Sequence, residues 1–188
     1  MKINLPNKLT LIRIALIPVF VVLAEFESVW CQLAAAVVFC VACVTDYLDG
    51  NIARKHNLVT NFGKFADPIA DKMLVMSAYV VLVGQERMPA WVCIVFLARE
   101  FTISGFRLVA ADSGKVIAAG MLGKIKTVTQ MIASISLLLM VPFNRGDIAL
   151  LGQFGCVFAN VMMYISVVMT VWSGMDYLYK NWSFVKDM

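Results

Sequence analysis

Charged residues are scarce in this chain of 188 residues: Asp, Glu, Lys and Arg together make up 15% of it, and His56 is its one histidine. Soluble domains contain about 25% charged residues and roughly 45–50% apolar ones. Here 61% of the residues are hydrophobic and the mean hydropathy is +0.83. One water-facing core cannot bury so many apolar side chains. The composition therefore excludes a disordered chain or a collagen and indicates a membrane protein.

Cysteine is too sparse for a disulfide scaffold. The five cysteines are an odd number, and all lie in apolar stretches where a free thiol packs as a small hydrophobic group. Cys40 and Cys43 form a C-x-x-C pair, but neither a second pair nor a nearby histidine accompanies them. We therefore interpret the cysteines as packing residues.

Apolar runs long enough to cross about 30 Å of hydrocarbon recur along the whole chain. Short clusters of charged or turn-forming residues separate these runs. The pattern predicts an all-α integral membrane protein with six transmembrane helices in a single domain, residues 1–188. The predicted spans are residues 5–24, 29–54, 62–84, 89–111, 121–141 and 148–179.

Charge is concentrated at one end of each predicted span. The second span carries its charges at its C-terminal end and the third at its N-terminal end, and the fourth and fifth repeat this alternation. Because successive spans run in opposite directions, all the charged ends fall on one side of the bilayer. Of the 16 Lys and Arg residues, only Arg87 and Arg145 lie on the other side. The positive-inside rule then predicts cytoplasmic termini and a polar cavity open to the cytoplasm. The formal charge of +4 reflects this topology, and we expect no nucleic-acid partner.

Four aspartates at fixed spacing form the most informative pattern in the sequence. They belong to the string D-x2-D-G-x2-A-R-x8-G-x3-D-x3-D, which crosses the inner ends of the second and third spans. Its fixed residues are Asp46, Asp49, Gly50, Ala53, Arg54, Gly63, Asp67 and Asp71. At 100° per residue, the first two aspartates share one helical stripe and the last two share another. The string therefore predicts two acidic stripes that face each other.

Carboxylates held so close cannot all stay ionised without compensating positive charge. Two divalent cations would balance four aspartates. Oxygen ligands without a nearby Cys or His favour Mg²⁺ or Mn²⁺ over Zn²⁺. Single aspartates also fit ordinary structural roles, since Asp67 before Pro68 resembles a helix cap and Asp49 before Gly50 resembles a turn. The joint spacing on membrane spans favours the metal site.

The complete string resembles the signature of the CDP-alcohol phosphotransferases, integral membrane enzymes that build phospholipid head groups, and every fixed position of that signature is present. Residues 7–13, 98–107 and 123–127 resemble bacterial members that use glycerol 3-phosphate as acceptor. The resemblance covers nearly the whole chain and is weakest over residues 147–188. It implies a six-helix fold in the bacterial inner membrane, usually homodimeric, which binds two divalent metals and a CDP-linked lipid.

The resemblance implies a role for each matching residue. The implied metal ligands are Asp46, Asp49, Asp67 and Asp71. Contacts to the CDP-lipid are implied for Thr10, Gly50, Ala53, Arg54 and Gly63. In the implied reaction Asp71, acting as general base, deprotonates the 1-hydroxyl of sn-glycerol 3-phosphate. That oxygen attacks the β-phosphorus of CDP-diacylglycerol, giving phosphatidylglycerophosphate and CMP.

The acceptor carries a phosphate, and four basic residues of the fourth and fifth spans are candidates for binding it: Arg99, Arg107, Lys124 and Lys126. Arg99 and Arg107 lie about 80° apart around a helix and roughly 12 Å apart along it, which suits one wall of a pocket. Lys124 and Lys126 are candidates for another wall, and Glu100 is expected to pair with an arginine or orient it. The alternative interpretation is that all four are ordinary positive-inside residues.

Other functions compete with this interpretation. The signature fixes the donor and the reaction type, so an enzyme of the same family with serine, inositol phosphate or phosphatidylglycerol as acceptor stays open. An ion-coupled transporter is a rival of another class, because intramembrane carboxylates also form ion relays. No inverted repeat is visible, however, and the acids lie towards one face of the membrane. A silent scaffold would have to retain four costly acids without a ligand.

Overall fold

The computed structural model describes residues 5–55, 61–113, 120–144 and 149–182. These residues form six α-helices: α1 (Leu5–Glu25), α2 (Val29–Lys55), α3 (Asn61–Gly84), α4 (Ala90–Asp112), α5 (Met121–Asn144) and α6 (Ala149–Lys180). The described ranges contain no strand. The predicted all-α architecture is confirmed, and the largest boundary difference is at the end of the fifth helix, predicted at 141 and observed at Asn144.

Several helices have the length and composition of membrane spans. Three stretches of the described chain are long and apolar enough to cross a membrane: Asn7–Glu25, Met121–Met140 and Gly152–Lys180. Val29–Thr45 is apolar but shorter. Large apolar side chains are exposed on the outside of the bundle, for example Trp30 at 79% and Leu108 at 74%. Such a surface is expected where helices face lipid instead of water.

The helices pack through small residues and a few aromatic pairs. α1 lies against α2 and α3, α2 also contacts α5, and α6 contacts both α4 and α5. Ala35, Ala42 and Ala78 are fully buried, which lets neighbouring helices approach closely. The Tyr79 and Phe96 rings, 5.2 Å apart between centroids, fill the space between α3 and α4. Since α3 also contacts α5, these three helices surround a common interior.

Candidate active site

Three charged side chains meet between α4 and α5. Glu100 Oε2 accepts hydrogen bonds from Lys126 Nζ at 2.7 Å and from Arg99 Nη1 at 3.1 Å. We call Arg99, Glu100 and Lys126 the Glu100 cluster. Both α4 and α5 contact α3 and α6, and these neighbours hold the two helices where the long side chains can meet. The expected pairing of Glu100 with an arginine is therefore observed, together with a lysine from another helix.

The Glu100 cluster is sheltered from water and carries excess positive charge. The exposed fraction of the side chain is 4% for Lys126, 14% for Arg99 and 33% for Glu100. Charges this sheltered have lost most of their hydration, so each depends on its partners. Arg99 Nε is buried and donates no hydrogen bond to any described residue. Two cations on one carboxylate thus retain donors for a further anion.

Two glycines leave the space that the Arg99 side chain occupies. A Cβ added to Gly174 on α6 would lie 3.3 Å from Arg99 Cγ, which is closer than ordinary van der Waals contact. A Cβ added to Gly123 on α5 would lie 3.6 Å from Arg99 Nη2. A Cβ at Gly123 would thus make an ordinary contact, whereas at Gly174 the Arg99 stem would have to move slightly.

A cavity lies beside the Glu100 cluster, between α2, α3, α4 and α5. Glu100 and Lys126 line it together with Asp71 and Lys72 of α3. Most of the remaining wall is apolar and consists of Phe39, Val75, Met76, Tyr79, Phe96, Leu97 and Met131. A charged end next to an apolar wall suits a substrate with a polar head and an apolar body.

Three of the four predicted phosphate-binding residues, Arg99, Arg107 and Lys124, do not line this cavity. The guanidinium carbon of Arg107 lies 5.5 Å from the centre of the Tyr177 ring on α6. Lys124 is exposed, whereas Lys126 is buried. Residues two positions apart on a helix point about 200° apart, which explains this difference. The structure therefore brings Arg99 and Lys126 together and does not place Lys124 beside them.

The residues of the acidic string occupy the end of α2 and the start of α3, two helices that contact each other. Seven of these side chains lie outside the described residues: Asp46, Asp49, Gly50, Ala53, Arg54, Gly63 and Asp67. The Asp71 side chain is described, is exposed and lines the cavity. Thr10 is fully buried on α1.

Comparison with known proteins decides the family. The family model for CDP-alcohol phosphatidyltransferase matches residues 3–172. The chain belongs to this family. The match covers all six helices except the end of α6, and it confirms the resemblance seen in the acidic string.

Similar curated proteins span nearly the whole chain of this CDP-alcohol phosphatidyltransferase. The protein from Bacillus subtilis (strain 168) named CDP-diacylglycerol--glycerol-3-phosphate 3-phosphatidyltransferase is 47% identical, over 97% of this chain and 97% of its own. Its namesake from Escherichia coli (strain K12) is 40% identical, and that from Salmonella paratyphi A (strain ATCC 9150 / SARB42) is 38% identical. Both of these matches cover 95% of this chain and 94% of the relative. The chain is thus an enzyme of the phosphatidyltransferase class.

The donor groups of this phosphatidyltransferase fit the divalent metal that its family implies. The four aspartates of the string offer only carboxylate oxygens, which suit a hard cation. Asp71 is exposed at the cavity, so its carboxylate is accessible to a ligand there. Among the side chains that the structure describes, no group of three or more His, Cys, Asp or Glu residues could hold a metal ion. The ligand set as a whole therefore stays a prediction.

Sequence analysis missed polar contacts between α5 and α6. Gln130 Nε2 donates a hydrogen bond to Thr170 Oγ1 at 3.1 Å, and Thr170 Oγ1 donates to the Ser166 carbonyl at 2.6 Å. Gln130 also lines the cavity, as does Ser134. Lys126, Gln130 and Ser134 follow one another at intervals of four residues and so share one face of α5. That periodicity is the signal that would have found them.

Proposed function

We propose that this phosphatidyltransferase transfers the phosphatidyl group of CDP-diacylglycerol to sn-glycerol 3-phosphate, giving phosphatidylglycerophosphate and CMP. This reaction belongs to the biosynthesis of phosphatidylglycerol and cardiolipin. Relatives named for these two substrates, matched along nearly their whole length, support the proposal. The observation that carries the acceptor assignment is that Arg99 and Lys126 converge on the carboxylate of Glu100, while Glu100 and Lys126 line a cavity together with Asp71.

Asp71 serves as the general base in this proposal. Its carboxylate takes the proton from the 1-hydroxyl of sn-glycerol 3-phosphate, and the hydroxyl oxygen attacks the β-phosphorus of CDP-diacylglycerol. A new phosphorus–oxygen bond forms as the bond to the CMP oxygen breaks. CMP then leaves, and no covalent intermediate with the enzyme is required. The exposure of Asp71 at the cavity supports this role, because a base must reach its substrate.

The residues of the acidic string are the proposed binding site of the donor substrate and its metal ions. The proposed ligands of two divalent cations, Mg²⁺ or Mn²⁺, are Asp46, Asp49, Asp67 and Asp71. When bound, the cations neutralise charge on the diphosphate. The proposed contacts to the CDP-lipid are Thr10, Gly50, Ala53, Arg54 and Gly63. Glycine and alanine allow a bulky nucleotide to approach the backbone, and an arginine pairs well with phosphate.

The acceptor phosphate binds the basic residues of α4 and α5. Arg99 offers a planar set of donors and Lys126 a compact charge, so together they favour a phosphorylated acceptor over a neutral polyol or an amino acid. Arg107 and Lys124 add positive charge near the same ends of these helices. Arg99 Nε supports the assignment, since it is buried and has no acceptor among the residues that the structure describes.

We further propose that the six helices are six membrane spans of one domain, residues 1–188. The enzyme would lie as a homodimer in the bacterial inner membrane, with both termini and the cavity on the cytoplasmic side. The one-sided distribution of Lys and Arg supports this orientation. Glu100 of α4 would then lie at the cavity, where pairing and water reduce the cost of burying its charge.

Release of CMP by the detergent-purified protein tests the proposal. CDP-diacylglycerol and Mg²⁺ are supplied with sn-glycerol 3-phosphate, serine, inositol phosphate or phosphatidylglycerol in separate reactions. We expect release with glycerol 3-phosphate alone and loss of that release when the metal is chelated. Release with a different acceptor would contradict the acceptor assignment but retain the reaction type. A folded sample that releases no CMP with any acceptor would contradict phosphatidyl transfer and favour the transporter.

A further inference from the structure

The Glu100 cluster holds two cations at one point. Lys126 Nζ and Arg99 Nη1 both donate to the same oxygen, Glu100 Oε2. Two positive groups in a sheltered site repel each other unless an anion lies between them. Glu100 is the one acidic residue paired with either cation among the described ion pairs. Its carboxylate therefore sets the distance and direction between two donors of the proposed acceptor site.

The ion pairs with Glu100 do not use all the N–H donors of Arg99 and Lys126. An arginine has five N–H donors and an ammonium group has three, and one oxygen cannot satisfy them all. Arg99 Nε is buried and has no acceptor in the described part of the chain. A buried donor without an acceptor is costly, so the arrangement suits a site completed by a ligand. The cluster is thus arranged as one half of an anion site instead of as a closed ion pair.

The space around Arg99 points to the same conclusion. The Arg99 stem passes Gly174 so closely that a single added methyl group would lie 3.3 Å from Cγ. The contact is with the stem and not with the flexible end of the side chain, so a methyl group there would require the stem to move by a few tenths of an ångström. Gly155 lies on the same helix, and an added Cβ there would meet no atom within 4 Å. The two glycines therefore form a matched pair for a test.

We propose that Glu100 is a positioning residue that holds Arg99 and Lys126 side by side for the acceptor phosphate, and that Gly174 leaves the room this arrangement needs. The inference rests on the proposed function, because it assumes that the phosphate of glycerol 3-phosphate binds these two cations. In this proposal Glu100 acts through the two cations and not through the reacting atoms. Its effect is on the affinity for the acceptor.

Steady-state kinetics of Glu100→Gln test the proposal. The amide still accepts a hydrogen bond but lacks the charge that holds two cations together. We expect the KM for glycerol 3-phosphate to rise roughly tenfold, while the KM for CDP-diacylglycerol stays within about twofold. Glu100→Asp keeps the charge and should recover part of the loss. A fall or no change in the acceptor KM would overturn the proposal, as would equal rises for both substrates, which indicate a general structural defect.

Gly174→Ala keeps the proposal testable if the Glu100 variants do not fold. We expect it to raise the acceptor KM several-fold, whereas Gly155→Ala leaves that KM unchanged. Equal behaviour of the two alanine variants would contradict the steric part of the proposal. Wild-type enzyme in the same assay shows whether the proposed function fails or only the positioning role of Glu100. If the wild type does not use glycerol 3-phosphate, the proposed function fails; if it does and the variants match it, only the positioning role fails.

Discussion

An arginine organises polar contacts at each end of the helix bundle, and the partners differ in kind. Arg87, between α3 and α4, donates from Nη2 to Gln32 Oε1 at 2.9 Å and from Nη1 to the Leu138 carbonyl at 3.2 Å. Arg99 instead shares one carboxylate oxygen with Lys126 and keeps a buried Nε without an acceptor among the described residues. The described partners of Arg87 include an amide and a backbone carbonyl, whereas Arg99 pairs with a carboxylate that it shares with a second cation.

Further hydrogen bonds surround Arg87 and connect two loops. Gln32 Nε2 donates to the carbonyls of Ala24 at 2.6 Å and Phe26 at 2.8 Å, and Gln85 Nε2 donates to the Ala24 carbonyl at 2.6 Å. We call Gln32, Gln85 and Arg87 the Arg87 cluster. It ties the connection between α1 and α2 to the connection between α3 and α4. The contacts of the Arg87 cluster are those of a structural tie between loops, whereas the Glu100 cluster is the proposed acceptor site.

The largest expected effect is that of Asp71→Asn. The amide cannot accept the proton of the acceptor hydroxyl, so we expect kcat to fall by about 10²–10⁴-fold while CDP-diacylglycerol binding is largely retained. CMP release and lipid binding by the purified variant measure the two quantities. Asp112→Asn, at the exposed end of α4, is the matched control. A near-normal rate for Asp71→Asn would show that Asp71 is not the general base.

Lys126→Met should act on acceptor binding. The variant keeps the length of the side chain but removes one of the two charges on Glu100, so we expect a rise of about 10–100-fold in the KM for glycerol 3-phosphate. The KM for CDP-diacylglycerol should change little. Lys180→Met, which removes an exposed lysine paired with Asp176 at the end of α6, is the control. An unchanged acceptor KM would mean that the cluster does not bind the phosphate.

Gln32→Leu should disrupt the hydrogen bonds of the Arg87 cluster without changing the KM for either substrate. The residue is buried, and its loss removes one acceptor of Arg87 and the hydrogen bonds that Gln32 donates to the Ala24 and Phe26 carbonyls. We expect the apparent Tm in detergent to fall by about 4–8 °C, with both KM values unchanged for the enzyme that remains folded. Gln153→Leu, at an exposed position of α6, is the control. A raised acceptor KM at normal Tm would contradict the assignment of a structural role to the Arg87 cluster and a binding role to the Glu100 cluster.

The smallest expected effect is that of Glu86→Gly, beside Arg87. Glu86 has a φ of 58°, in the left-handed region that favours glycine. Relief of this strain outweighs the greater freedom of glycine in the unfolded chain by a small margin, so we expect the apparent Tm to rise by about 1–2 °C. Thermal unfolding and CMP release measure stability and activity together. A lower Tm would show that the Glu86 side chain stabilises the turn.

The helices were predictable because each depends on local sequence. Apolar length and charge position predicted six helices, and α4 was expected at 89–111 and begins at Ala90. The family was predictable as well, because the acidic string is long and its spacing is specific. The metal ligands stay a prediction, since Asp71 is the one member of that set with a described side chain.

The Glu100 cluster was only partly predictable, because it depends on packing between distant segments. Glu100 and Lys126 are 26 residues apart and meet only when α3 and α6 hold α4 and α5 in place. The grouping of Lys124 with Lys126 ignored the helical period, which directs neighbours two positions apart to different sides. The contact between Gly174 and Arg99 could not be predicted from the sequence. No local pattern distinguishes Gly174 from the other glycines on α6.

The most direct test of the account applies one chemical change to both ends of the bundle. Arg99→Lys and Arg87→Lys each keep the charge and remove the planar set of donors. The acceptor KM of the two variants, measured side by side with glycerol 3-phosphate, is the decisive quantity. We predict that the acceptor KM rises roughly tenfold for Arg99→Lys and does not change for Arg87→Lys. Equal values for the two variants, or a rise confined to Arg87→Lys, would contradict this prediction.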